Sequence, residues 1–246
     1  MSKCRTASSL GGFLVCAALA CACATGQSPA DGDDDGGGGD TGGPDAGDVT
    51  PLPDAGAPPD AMTGGRAVTL THSASMTITD LNSIACANEL TGFTAESSYY
   101  RVFNLAAAGI TAPLTVAQVS IGIENAISGG GTQPASVRLH ALSGAVSTAN
   151  LTPIGSADIT VADSQSLMVV DVPVTGTAPA DAQLVVELYL PDGLEVGNTF
   201  YPGSNAMGQT GPSYLRSPTC GANDISDIAA LGFPDMHLVM AVEGTW

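Results

Sequence analysis

Lysine is nearly missing from this chain of 246 residues. Lys3 is the only one; Arg5, Arg66, Arg101, Arg138 and Arg216 complete the basic set against 24 acidic residues, for a formal charge of −18. A nucleic acid is held by clustered Lys and Arg that displace phosphate counterions, so this surface would repel a polyanion, and anionic lipid head groups are excluded as direct partners for the same reason. Aromatics are scarce, with one Trp, five Tyr and five Phe. The core must therefore be aliphatic, and the chain lacks the several aromatic platforms usual in a polysaccharide-cleaving cleft. No GxSxG, HExxH, GxGxxG or Walker A pattern occurs from residue 66 onward, which removes the local signatures of the serine hydrolases, zincins, dinucleotide binders and P-loop enzymes from the body. No CxxC occurs either, and two thiols in the body are too few for a structural zinc site. The apolar run at residues 10–20 is too short to span a bilayer.

That run has a different meaning. Lys3 and Arg5 precede it as a positive n-region, and small residues come after it, the layout of a secretory leader, which is set aside from the fold. The stretch "AALACAC" resembles the lipobox of bacterial lipoproteins. The resemblance implies that a cysteine receives a diacylglycerol thioether before cleavage of a leader over residues 1–22. Both Cys21 and Cys23 come directly after an alanine. Cysteine parity favours Cys23, proximity to the apolar run favours Cys21, and the two remain alternatives. Neither is followed directly by Asp, the residue associated with retention at the inner membrane, so the resemblance implies export to the outer membrane or cell surface, held by an N-terminal lipid.

Residues 23–65 are, apart from Cys23 and Gln27, Asp, Gly, Pro, Ala, Ser and Thr, with Val49, Leu52 and Met62 as the only large apolar side chains. Such a segment cannot repay its ordering entropy and is expected to be a disordered acidic linker, with a mean reach of roughly 35–40 Å before charge expansion. Asp31, Asp33, Asp35 and Gly36 match the first half of a calcium loop, but the twelfth position is Gly42 rather than Glu.

From residue 66 the pattern changes to short apolar runs of period two, bounded by Gly, Pro, Asn and Asp. Val, Thr, Ala, Ser, Ile, Leu and Gly dominate and Glu, Lys and Arg are few, a composition suited to half-buried strands. Strands are expected at 67–72, 75–79, 99–105, 114–125, 136–142, 154–162, 167–174, 182–190, 198–203, 213–217 and 237–244, with a helical turn over 224–233. Val116, Val119, Ile121 and Ile123 share the first apolar set, and Leu184, Val186, Leu188 and Leu190 the second. Many short strands joined by turn signals such as "SGGGTQP" predict an all-β, antiparallel β-sandwich, jelly-roll-like, over residues 66–246. Cys86 and Cys220 are the only cysteines inside it, and an exported chain in an oxidising compartment is expected to join them as a disulfide.

The densest unusual segment is 197–237. Its Tyr201, Ser204, Asn205, Gln209, Tyr214 and Arg216 form a candidate ligand surface, and Asp224 and Asp227 a candidate calcium site; no other cofactor is expected. Glu187 with Glu195, or Asp224 with Asp227, are the carboxylate pairs that glycoside hydrolysis would need. His72, His140 and His237 fall on different predicted strands. The phrases "SSYYRVFNL", "VPVTGTAPADAQLVVELYLPDG", "GNTFYPGSNAMGQTGPSYLRSPTCG" and "LGFPDMHLVMAVEG" resemble a β-sandwich module of exported bacterial proteins, found alone or in multidomain extracellular proteins including secreted peptidases. The resemblance covers most of 85–244 and implies an accessory or binding role without assigned chemistry. The expectation is a monomeric, lipid-anchored surface protein that displays a β-sandwich for binding or adhesion, to a glycan or a surface protein. The alternatives are a structural surface lipoprotein without a ligand and a polysaccharide-acting hydrolase.

Overall fold

The computed structural model describes residues 3–6 and 65–246. Cys21, Cys23, the linker up to residue 64 and the leader apart from residues 3–6 lie outside the described residues. The strands are β1 (Lys3–Thr6), β2 (Ala67–Thr71), β3 (Ile84–Ala87), β4 (Ser97–Asn104), β5 (Leu114–Ile127), β6 (Thr132–Leu142), β7 (Leu151–Ala162), β8 (Met168–Ala178), β9 (Gln183–Leu190), β10 (Thr199–Pro202), β11 (Ser204–Asn205), β12 (Tyr214–Ser217), β13 (Ala222–Asp227), β14 (His237–Leu238) and β15 (Met240–Thr245). Among the described residues the only helical elements are three single 3-10 turns.

The body is an antiparallel β-sandwich. One sheet has the order β10-β5-β15-β2, with β8 on the other side of β5; the other has the order β13-β12-β4-β9-β6-β7. Two short pairs, β1 with β3 and β11 with β14, accompany them. The chain changes sheet at most connections, β4 to β5, β5 to β6, β7 to β8, β8 to β9 and β9 to β10. Lys3 and Arg5, the n-region of the expected leader, lie in β1.

Strand alternation builds the core. Tyr99 and Phe103 of β4, Val137 and Leu139 of β6, and Leu184, Val186 and Leu188 of β9 meet Val116, Val119, Ile121 and Ile123 of β5, all fully or almost fully buried. Each such side chain contributes about 1.5–3 kcal/mol by leaving water. Period two alone would put Val116 and Val119 on opposite faces. They share one because the register of β5 slips by one residue between Val116 and Gln118 in its pairing with β8, and between Glu243 and Gly244 in its pairing with β15. A bulge of this kind adds a residue on one strand and re-aims the side chains beyond it.

Ten of the eleven expected strands form. The eleventh, 75–79, does not: Asn205 Nδ2 donates to the carbonyls of Ser75 and Thr77, and Thr79 N donates to Ser204 O. A buried amide takes the bonds that a ladder would have taken. The expected helical turn over 224–233 is also corrected. Its first four residues belong to β13, and only the stretch after Asp227 makes turn bonds, such as Leu231 N to Asp227 O.

Cys86 and Cys220 form the disulfide, with a sequence separation of 134 and S–S 2.07 Å. It ties β3 to the 3-10 turn Pro218–Cys220 between β12 and β13.

Candidate functional site

The outer face of the six-stranded sheet holds the chemistry. The residues between the core positions on β4, β9 and β6 are Ser98 and Tyr100, Glu187 and Tyr189, and Ser136, Arg138 and His140. Pairing aligns them into two rows. One runs Asp227, Tyr214, Tyr100, Glu187, Arg138, Ser156 across all six strands; the next runs Arg216, Ser98, Tyr189, Ser136, Asp158 across five. Residues directly opposite on one face are in side-chain contact range, so each row is a continuous polar and aromatic track.

Glu187 is the hub. It is 5 % exposed, on the face away from the core. Ser98 Oγ donates to Oε1 at 2.7 Å and Tyr100 OH at 3.3 Å; Arg138 Nη1 lies 3.6 Å from Oε1, and His140 Nε2 lies 2.8 Å from Oε2. Burial by itself would raise the carboxyl pKa. The hydrogen bonds from His140 and Ser98, with the charge of Arg138, outweigh it and leave the pKa below the ordinary value. The same burial, with the Glu187 charge beside it, pushes the Tyr100 phenol above its usual range. An ionised carboxylate only accepts, so the proton shared with His140 sits on Nε2.

Neighbouring elements complete the site. Tyr100, Leu142 and Val185 form a small apolar cluster joined by Val146, Leu151, Tyr214 and Ile225. Thr148 N donates to Asp224 Oδ1 at 2.8 Å, tying the connection after β6 to β13. Toward β7 the face is open. The Arg138 guanidinium stacks 3.7 Å from the Tyr189 ring centroid, an arrangement that holds the cation in place. A cavity of about 350 Å³ is lined by Arg138, His140, Pro153, Gly155 and Ser156. On β7 the register shifts beside His140, so that Leu139 faces Gly155 and His140 faces Pro153.

The candidate surface in 197–237 divides. Tyr214 and Arg216 lie on the outer face, in the first and second rows. Arg216 Nη1 is 3.4 Å from Glu96 Oε1. Ser204 and Asn205 are completely buried and Tyr201 nearly so. Ser204 Oγ is engaged with Asn82 at 2.7 Å and Ser83 at 2.8 Å. Gln209 points inward and accepts from Arg101 Nη1 at 2.6 Å. Ser204, Asn205 and the half-buried Gln209 fasten the connection onto the sandwich, because a long loop must satisfy its backbone groups somewhere, and Tyr201 is buried within β10. Asp224 Oδ1 is occupied by the backbone N–H groups of Thr148 and Ile225, and Asp227 Oδ1 by that of Ala229. The three histidines are separate. His72 stacks on Phe103 and bonds Val102 O and Thr210, His237 bonds Gly208 N and Pro234 O, and His140 bonds Glu187. Among the described residues no three His, Cys, Asp or Glu side chains converge as a metal site.

Sequence reasoning singled out Glu187, Tyr214, Arg216 and Asp227 but did not join them, and it passed over Ser98, Tyr100, Arg138 and Tyr189 as site residues. The available signal was the polar alternate residues of "SSYYR", "SVRLHAL" and "VELYL". No protein-family model matches the chain, and no curated protein matches it.

Proposed function

We propose that this chain is a lipid-anchored surface protein that displays its β-sandwich for binding or adhesion, and that the outer face of the six-stranded sheet around Arg138 and His140 takes the ligand. One observation carries the second part. A nearly buried carboxylate, Glu187, sits outside the hydrophobic core, engages four side chains, and stands beside a cavity lined by two of them. A network in that place does not fill the core. It fixes Arg138 and His140 in advance, which lowers the cost of meeting a polar ligand. The "AALACAC" stretch and the Asp/Gly-rich linker support the anchor and the stalk, and the export supported by both agrees with the disulfide.

The hydrolase alternative draws less support. A general acid must hold a proton near working pH, whereas Glu187 is held below the ordinary carboxylate range and its oxygens are occupied. The structural lipoprotein without a ligand leaves the preorganised face unexplained.

Two measurements test the proposal. Metabolic palmitate labelling of cells making the full chain should mark the mature protein and fail when Cys21 and Cys23 are both changed to Ser; an unlabelled wild type overturns the anchor. Arrays of glycans and of surface proteins, probed with the full chain and with Arg138→Gln, should show binding that the substitution weakens. Binding that is indifferent to Arg138 moves the ligand away from this face.

A further inference from the structure

We infer that the recess beside Glu187 takes a vicinal diol, the chemistry of a neutral sugar ring; this rests on the binding role proposed above and names its ligand class. Glu187 determines what His140 can offer. With the proton on Nε2 toward the carboxylate at 2.8 Å, the neutral ring leaves Nδ1 as a lone-pair acceptor. His140 is 8 % exposed, and among the described residues its Nδ1 is the one buried side-chain nitrogen or oxygen without a hydrogen-bond partner. The residue facing it on β7 is Pro153, which has no N–H to give. Buried acceptors left unpaired are costly and rare, and those that persist call for an explanation.

The other groups of the recess have the opposite character. Arg138 keeps 37 % of its side chain exposed while Tyr189 and Glu187 hold the guanidinium in position, so it presents N–H donors outward. Ser156, its neighbour on β7, lines the same cavity with a hydroxyl. A matching ligand must therefore give a proton to Nδ1 and accept one from Arg138 within a few ångströms. Adjacent hydroxyls on a sugar ring do both. A carboxylate or phosphate would satisfy Arg138 but set a lone pair against Nδ1. An ammonium group would satisfy Nδ1 but face the Arg138 charge. Pro153 and Gly155 supply the apolar rim against which the C–H face of a ring can lie, and about 350 Å³ is of the size that small-molecule sites use.

The test uses the full chain and three sets of probes: neutral hexoses (glucose, galactose, mannose), the matching uronic acids, and deoxy sugars lacking one hydroxyl of the pair. Calorimetry reads affinity, and imidazole nitrogen NMR reads His140. The expected result is binding of at least one neutral hexose, a shift of the unprotonated Nδ1 resonance on its addition, and a loss of about tenfold or more for the deoxy sugar and for Arg138→Gln. Uronic acids that bind better than neutral hexoses, still through Arg138, overturn the diol and leave the binding face standing. A His140 that carries its proton on Nδ1 also overturns the diol, whatever binds. If no sugar binds while a surface protein does so through Arg138, the diol fails alone; if neither class depends on Arg138, the binding face fails with it.

Discussion

Arg101 and Leu238 are joined through one carbonyl: both Nε and Nη2 of the guanidinium donate to Leu238 O. Arg101 is on β4 with its side chain turned inward, fully buried, and Nη1 also donates to Gln209 Oε1 and Gly211 O. No carboxylate accompanies it among these partners. Desolvation lowers its pKa to about 10, which leaves it charged at neutral pH. One side chain from the six-stranded sheet thus fastens both ends of the connection between β11 and β14. Arg101→Met keeps the apolar stem but removes four hydrogen bonds, each worth on the order of 1 kcal/mol net; Leu238 O keeps Ser73 Oγ as a donor and Gln209 Oε1 keeps Ser213 Oγ. The expected loss is about 3 kcal/mol in denaturant unfolding, with new proteolytic cleavage near Met207. A loss under about 1 kcal/mol would show that the connection holds without it.

The disulfide constrains a separation of 134 residues. In the chain-entropy account a loop of this length is worth about 5 kcal/mol. For a domain of this size that corresponds to a melting-point change of about 10–15 °C. Cys220→Ser is expected to show that drop under oxidising conditions and to melt with the wild type in reductant. Equal melting in oxidant would mean that the bond contributes nothing to stability.

Gly155 of β7 and Gly176 of β8 bring the edges of the two sheets together. A Cβ on Gly155 would lie 2.2 Å from Thr175 O and 3.0 Å from its carbonyl carbon. The obstacle is backbone of a strand in the other sheet, so it cannot swing aside. Gly155→Ala is expected to cost about 2–3 kcal/mol through strain. Gly129 in the β5–β6 turn has open space around its would-be Cβ, and Gly129→Ala should lie within about 0.5 kcal/mol of the wild type. Urea unfolding of the pair separates close sheet contact from a general glycine effect; equal stability of the two variants would refute the close contact.

Legibility in the sequence depended on the range of the interaction. In "AQLVVELYL" the alternation depends on neighbours two apart, so Leu184, Val186, Leu188 and Leu190 announced a strand with one buried face. The three-residue step from Val116 to Val119 was passed over as part of the alternation, because a bulge has meaning only against partner strands. Ile84–Ala87 was missed because four buried residues without alternation look like any short apolar run. The site failed to appear for a stronger reason. Tyr214, Tyr100, Glu187 and Arg138 are neighbours only through the strand order β12-β4-β9-β6, and no local pattern encodes that order. Density of polar residues pointed instead to 197–237, where Ser204, Asn205 and Gln209 proved to be internal fasteners. In a loop-rich segment, amides and hydroxyls serve the backbone as readily as a ligand.

Glu187 gives the prediction that links the site to stability. Its folded-state pKa lies below the ordinary carboxylate value because the hydrogen bonds from His140 and Ser98, with the Arg138 charge, outweigh the burial that would raise it. A depressed folded pKa means that the unfolded state binds the proton first. The ionised carboxylate therefore contributes its stabilisation above the unfolded-state pKa, about 4.3, and that contribution disappears as pH falls through the folded value. Glu187→Gln preserves shape but exchanges a charged acceptor of four side chains for an amide, one half of which is a donor set against donors. Near neutral pH the variant is expected to be less stable by about 3 kcal/mol, the scale of breaking a buried charged pair. On acidification the wild type should lose stability faster, so that the two denaturation curves converge below the ordinary carboxylate range. His140 adds a second readout, since its Nε2 proton has lost an ionised partner: the imidazole nitrogen resonances of the variant should no longer show the single Nε2–H tautomer. A constant gap between the two proteins across the acid range would mean that Glu187 has the same pKa folded and unfolded, and a gap that widens on acidification that its folded pKa is raised; either result overturns the fixed polarity of the recess.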